Sequence, residues 1–412
     1  MITGLKFKNY KCLNDVSFQF SKLNIFSGYN GRGKSSVMQY LLMLSQSTRE
    51  PQNLNYLHPN GHFVELGNFE DLLTIKSKDL WTEITVASDP QKEFVLQLSY
   101  KQKSDDEKLG YIASCVLNGE EQIVRIDDIQ TNDQQNISIT KDVRKGNNKK
   151  FNNESNTPYL SLPQYVKKIF EYKKYHYVSA DRIGPIKYAE KYEIPKVQKV
   201  MPSGEDVYNI IANYKENIPK NRCYNGKRAQ KLLTAVSGWL AYILRNGQLQ
   251  IRQGTPKEPI LTPRIKMSKN QKNAYTLCNV GYGYSYIEAV IVSALIAKSG
   301  DCLFIENPEA HLHPEAQARI TEVLALAAAD GVQVFVETHS EHIVNNFRIA
   351  VLRDDIALNN DDVSLYFMGL DKIHRLEVKA DGKINNWPSG FFDQYQNELT
   401  TLYRLSARKN NK

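Results

Sequence analysis

The chain has 412 residues, 41% hydrophobic and 24% charged, which suits a large core and about two or three structural units. No run approaches the roughly 18 consecutive apolar residues of a membrane helix, and the first residues enter a strand-like alternation rather than a targeting segment, so a cytoplasmic protein without membrane contact is expected. A net charge of +8 (53 basic against 45 acidic residues) permits contact with nucleic acid without requiring it, and Cys12, Cys115, Cys223, Cys278 and Cys302 have neither disulfide nor zinc-site spacing.

Residues 2–10 and 16–20 alternate apolar and polar side chains and predict two half-buried strands, followed by a buried strand over 23–27. Next comes Gly-Tyr-Asn-Gly-Arg-Gly-Lys-Ser at 28–35, with a helical pattern over 36–44. Strand-like runs at 83–86, 94–98 and 122–126 predict an antiparallel β insertion. The stretch 141–157 carries Arg144, Lys145, Lys149 and Lys150 among many asparagines and reads as a mobile basic loop. Residues 203–244 are helical in pattern, with Ser203 and Asp206 resembling an N-terminal cap, and no heptad repeat persists. Near the end, 375–384 predicts a hairpin on an Asp-Gly turn. Trp387, Phe391 and Phe392 follow as an aromatic cluster that caps the end of a sheet, ahead of a last helix.

The octapeptide fits G-x-x-x-x-G-K-[ST] at every fixed position. Its glycines let backbone N–H groups turn around a β-phosphate, Lys34 neutralises the β/γ oxygens, and the Ser35 hydroxyl can ligate Mg²⁺ at the positive end of the following helix. The strand before it and the helix after it are the context this chemistry needs, and the ligand it implies is ATP or GTP with magnesium. A second apolar run, 302–305, ends in Glu306-Asn307-Pro308-Glu309; a strand of this kind sets a carboxylate beside the magnesium.

These two segments lie about 270 residues apart, and Val-Phe-Val-Glu-Thr-His-Ser follows at 334–340. Together they resemble the ABC-type ATPases of the RecF and OLD group, relatives of the SMC proteins. The resemblance is close over the first 45 residues and about 280–350. It implies an α/β fold: a P-loop ABC-type ATPase head with a mixed sheet and an antiparallel β plus helical insertion. The expected segments are 1–80 (first part of the head), 81–175 (β-rich insertion), 176–265 (strand and helical lobe), 266–370 (second part of the head) and 371–412 (hairpin and aromatic module, resembling a bacterial C-terminal module of unknown function).

Carried over residue by residue, the resemblance implies nucleotide binding by Asn30, Gly31, Gly33, Lys34, Ser35 and Ser36, and Mg²⁺ ligation by Ser35 and Glu306. His339 takes the place of the switch histidine that senses the γ-phosphate. Asn307 stands where the family has a glutamate base, and Glu309 is the nearest other carboxylate. An asparagine can orient water but cannot take its proton, and a positioned base contributes about 10²–10⁴-fold, so hydrolysis is expected to be slow or to use Glu309 or substrate-assisted proton transfer. Residues 279–285, with Gly281, Gly283 and Ser285, resemble the signature motif, which would meet the γ-phosphate of ATP held by a second subunit. The family's Q-loop glutamine has no assigned counterpart; the turn 67–71 is the nearest neighbourhood for it, and a plain loop is the alternative reading of that turn. His311 and His313 are expected to pack in a dimer-contact loop rather than ligate a metal.

The function this implies is a dimerising ATP switch or sensor for a partner effector, in bacterial anti-phage defence or DNA maintenance. It would form a homodimer or higher homo-oligomer and act on a separate effector, a nuclease or toxin. A non-hydrolysing nucleotide-binding scaffold and an ATP-regulated nuclease are the alternatives. About 70 residues after His339 are few for a nuclease domain, and the Glu-Asn-Pro-Glu motif disfavours a transporter ATPase.

Overall fold

The computed structural model describes residues 1–49, 54, 56–89, 92–102, 109–118, 124–125, 131–132, 136–137, 168–192, 199–226, 228–268, 270 and 272–410. The expected basic loop at 141–157 lies outside them, and of the expected strand at 122–126 only Val124–Arg125 is described. The chain divides into two compact units, Met1–Ser21 with Ser35–Tyr175 and Lys22–Lys34 with His176–Lys412.

The first unit is built on an antiparallel sheet in the order Val16–Gln19, Ile2–Lys8, Asp79–Asp89, Lys92–Lys101, Gly110–Asn118, Tyr56–Leu57. The strands expected as an insertion therefore extend the N-terminal hairpin in a single sheet, because Ile2–Lys8 still had an unpaired edge that Asp79–Asp89 fills. Helix Lys34–Ser47 packs through Tyr40, whose ring meets Phe7 edge-on at 5.2 Å and whose hydroxyl pairs with Thr82 at 2.5 Å. The 67–71 turn is a short helical turn, Phe69–Leu72, closed by a reciprocal Asn68–Asp71 capping box.

The second unit holds a six-stranded sheet in the order Tyr175–Val178, Cys302–Glu306, Gln333–Glu337, Leu23–Gly28, Val363–Met368, Ile373–Leu376. Its four central strands pair in parallel, and the last pair is antiparallel, so the sheet is mixed. Cys302–Glu306 and Gln333–Glu337 are buried at every position, which accounts for the apolar residues 302–305 and 334–336: strands inside a parallel sheet are buried on both faces. Trp239, Ile291, Leu324 and Phe347, from helices Leu232–Ile243, Tyr282–Ile296, Pro314–Ala329 and Glu341–Val351, share one core cluster with the strand residues Ile25 and Ile305. A smaller sheet pairs Ile260–Lys266 with Ala189–Glu190, Gln248–Gln253 and Tyr275–Thr276.

Three local expectations change. Residues 203–244 form two helices, Val207–Asn213 and Leu232–Ile243, and Asp206 sits at the first N-cap without capping it: its carboxylate accepts from the Met201 N–H at 2.7 Å instead. The Asp-Gly turn forms with Gly382 at φ 73°, but its arms join only at a Val378–Ile384 bridge, because Ile373–Leu376 is already paired with Val363–Met368. Of the aromatic trio, Phe391 is fully buried while Trp387 is 45% exposed.

Candidate functional site

Three adjacent parallel strands end side by side, at Gly28, Glu306 and Glu337. Ligands of open α/β sheets bind beyond the carboxyl ends of such strands.

On the first strand the phosphate loop turns immediately. Gly28 has φ 130°, and a Cβ there would lie 2.4 Å from the Met368 carbonyl oxygen, so only glycine fits. Gly31 and Gly33 also have positive φ, 73° and 91°. Asn30 and Gly31 are exposed, Gly33 is buried, and Ser35 and Ser36 are half-buried in the first turn of helix Lys34–Ser47. Lys34 is only 4% exposed, and its ammonium donates to the carbonyls of Gly28 at 3.2 Å and Tyr29 at 2.8 Å. Burial lowers its pKa, and the Glu337 carboxylate opposes that shift.

The second strand delivers Glu306, 8% exposed. Its Oε2 accepts from the Ala180 N–H at 3.1 Å, and the Tyr177 phenol also bonds this carboxylate. Burial raises the Glu306 pKa against the pull of those donors and of Arg182. Asn307 has φ 43°, left-handed for a residue with a side chain; its N–H donates to the Glu337 carbonyl at 2.9 Å. Glu309 Oε1 accepts from the His339 N–H at 2.7 Å, and burial raises the Glu309 pKa. Among the described residues, three buried acceptors at this turn, Glu306 Oε1, Asn307 Oδ1 and Glu309 Oε2, have no hydrogen-bond partner. An unpaired buried polar group costs roughly 1–3 kcal/mol, and such cost concentrates where a ligand is to be received. A buried carboxylate oxygen suits a hard cation such as Mg²⁺, and a bound cation would reverse the upward shift of Glu306.

From the third strand, Thr338 and His339 lead into helix Glu341–Val351, capped by Ser340, whose Oγ accepts from the N–H groups of His342 and Ile343. His339 is exposed, and its pKa is lowered first by burial and then by Lys34.

Two site residues have no counterpart among the sequence expectations. Glu337, 6% exposed, acts on Lys34. Arg182, 3% exposed, donates from Nη1 to the Glu306 carbonyl at 3.0 Å and from Nη2 to the Asn307 carbonyl at 2.7 Å. Burial pulls its pKa down to about 10, with Glu309 opposing most strongly. Nothing in Val178-Ser179-Ala180-Asp181-Arg182 singles this arginine out, since a lone arginine four residues past a strand end is usually solvated.

In the signature-like segment Gly281 is the N-cap and Tyr282–Ile296 the helix, so the segment itself opens the helix. Gly281 and Tyr282 are exposed, and first-turn N–H groups have no partner within a helix. Ser285 does not join them. It is 7% exposed and sits beside the Tyr208 phenol, which donates to Glu288 Oε2 at 2.5 Å. A position one turn into a helix points with its i+3 neighbour, and that neighbour, Glu288, is fully buried. His311 packs against Tyr286, ring centroids 4.4 Å apart, and His313 caps helix Pro314–Ala329 through Nδ1. Among the described residues no group of three or more His, Cys, Asp or Glu is placed to hold a metal ion.

Fold and site together define a P-loop ATPase domain with its phosphate loop and acidic strand end on one mixed sheet. The model of the family described as "AAA domain, putative AbiEii toxin, Type IV TA system" matches residues 23–345, most of the chain, and the chain belongs to that family. Residues 358–402 match a family described as a protein of unknown function, DUF3696. No curated protein matches the chain. Among solved structures it is similar to an SMC head bound to the C-terminal winged-helix domain of ScpA (13% identity over 93% of this chain and 95% of that one, TM-score 0.43). It is also similar to the SMC head domain from Thermotoga maritima (12%, 92% and 99%, 0.43), and to the Smc head with an extended coiled coil bound to the C-terminal domain of ScpA, from Pyrococcus furiosus (11%, 98% and 99%, 0.41). No helix among the described residues is long and apolar enough to cross a membrane.

Proposed function

We propose that this chain binds ATP and hydrolyses it slowly, and that nucleotide closes a homodimer whose output is delivered to a separate effector. The observation that carries the reading is the convergence of Lys34, Glu306, Asn307, Glu309 and His339 at the ends of three neighbouring parallel strands. The loop glycines and Lys34 would hold the β- and γ-phosphates, with Lys34 exchanging its bonds to Gly28 and Tyr29 for phosphate oxygens. Ser35 and Glu306 would hold Mg²⁺, which supplies charge neutralisation at the phosphates when bound. Asn307 orients the attacking water, and Glu309, with one oxygen anchored by His339 N–H and the other unpartnered, is the group able to take its proton. His339 contributes an imidazole kept neutral at neutral pH by burial and Lys34.

For the dimer, the exposed Gly281 and Tyr282 at the start of helix Tyr282–Ile296 offer free N–H groups and a positive helix end to a γ-phosphate held by a second copy. The family's description names a toxin and a toxin–antitoxin system, which accords with a defence setting and an effector of toxin or nuclease type. A non-hydrolysing scaffold is the second reading, favoured by Asn307 in the base position. Single-turnover ATP hydrolysis separates the two: product formed within minutes supports the first, and none with saturating bound ATP supports the second. Sedimentation with a slowly hydrolysed analogue tests the dimer; Tyr282→Arg is expected to leave nucleotide binding intact and abolish nucleotide-dependent association, and association unchanged in that variant would overturn the trans contact.

A further inference from the structure

We propose that Arg182 is the positioning residue of the catalytic turn: its guanidinium clamps the two carbonyls of Glu306 and Asn307, so that the Asn307 amide and the Glu309 carboxylate are presented to the nucleotide. This rests on the hydrolytic reading above.

The turn needs such a clamp. Asn307 occupies left-handed backbone space at φ 43°, tolerated better by asparagine than by most residues but still costly, about 1–3 kcal/mol when held off its preferred region. Among the described residues Asn307 Oδ1 and one oxygen each of Glu306 and Glu309 are buried without partners, while the other Glu309 oxygen takes the His339 N–H. The backbone of the turn is held from outside by a strap from the end of strand Tyr175–Val178. The Ala180 N–H grips the Glu306 side chain, and two residues later Arg182 grips the backbone of Glu306 and Asn307 through separate nitrogens, at 3.0 and 2.7 Å. A planar guanidinium can bridge two successive carbonyls in one fixed geometry, whereas an ammonium on a flexible stem cannot. The guanidinium is itself fixed: it lies over the Tyr286 ring at 5.4 Å, and Tyr286 packs edge-on against His311 just beyond the turn. The Arg182 Nε is buried without a partner, so both bonds the group makes are directed at the turn. Among the described residues Arg182 makes no hydrogen bond to the phosphate loop; that loop is held instead by Lys34 on the Gly28 and Tyr29 carbonyls and by the Tyr29 N–H on the Met368 carbonyl.

The test is steady-state hydrolysis with nucleotide affinity and melting temperature on Arg182→Gln and Arg182→Lys. Arg182→Gln is expected to lower kcat by about 10–100-fold, the scale of a roughly 1 Å misplacement, with nucleotide affinity within about threefold of wild type. Arg182→Lys, able to hold one carbonyl, should recover only part of kcat. In an Asn307→Ala/Glu309→Gln background, Arg182→Gln should add no further loss. An unimpaired kcat in folded Arg182→Gln, full rescue by lysine, or affinity falling in step with kcat would overturn the proposal while leaving hydrolysis standing. Wild-type protein that binds ATP and never turns it over overturns the hydrolytic reading and this proposal with it. Failure of both variants to fold would assign Arg182 a purely structural role.

Discussion

The phosphate loop and the Glu306–Glu309 turn sit at the ends of nearby strands in one sheet, yet they are built in opposite ways. The loop is closed on itself: its glycines supply the positive φ angles, and Lys34 spends its protons on the loop's own carbonyls. The turn is open, with a left-handed Asn307 and buried acceptors on Glu306, Asn307 and Glu309 that have no partner. A loop that satisfies itself can bind phosphate by exchanging one set of acceptors for another. A turn that leaves acceptors empty stores its cost until ligand, cation or water arrives, which is how sites for chemistry differ from sites for binding.

The comparison is broken most severely at the loop. Lys34→Ala should weaken ATP binding by about 100-fold or more, because a charge-assisted contact in a dry pocket is lost; calorimetry that finds the affinity unchanged would remove the nucleotide site. At the turn the same experiment should split differently. Glu309→Gln is expected to leave affinity near wild type and lower single-turnover hydrolysis by about 10²-fold, and an undiminished rate would exclude Glu309 as the base. Asn307→Glu should raise turnover by about tenfold; no increase with ATP still bound would mean that Glu309 already meets the need.

The smallest expected effect lies in the helix after Gly281, which also keeps a buried polar group incompletely paired. Glu288 is fully buried, has one oxygen without a partner, and burial pushes its pKa up to about 8 against the Tyr208 hydrogen bond. The folded state therefore holds this proton when the unfolded chain has lost it. The stability so gained is complete below the unfolded value near 4.5 and is lost as pH rises through about 8. Glu288→Gln should abolish that component, so the melting temperature of the variant relative to wild type should climb by about 5 °C between pH 5 and pH 9. A constant difference across that range would show that Glu288 is ionised in the folded protein.

The same contrast explains what could be read from the chain itself. The loop was legible because turning a backbone around phosphate demands particular residue types, glycine and lysine, at fixed spacing. The buried strand 302–306 announced itself by the apolar run 302–305. Arg182 and Glu337 were not legible, since a lone arginine or glutamate is usually a solvated one and only the sheet order brings them beside Asn307 and Lys34. Ser285 leaves the signature-like turn because the helix starts at Tyr282, which turns residue 285 inward toward Tyr208. The N-terminal strands and the presumed insertion merged because periodicity shows a half-buried strand but not its neighbour.

Tyr29, inside the phosphate loop, donates its N–H to the Met368 carbonyl, its ring lies 5.9 Å from that of Phe367, and a Cβ on Gly390 would come 2.3 Å from its hydroxyl. The loop and the C-terminal module thus share a seam at which an added carbon on residue 390 would displace the Tyr29 hydroxyl, on top of the positive φ of Gly390. In descent, positions 29 and 390 should change as a pair: lineages that keep a large aromatic at the first should keep glycine at the second, and those that shrink the first should admit side chains at the second. A module grafted from a relative that solved this seam differently would arrive already in conflict with the loop it must adjoin.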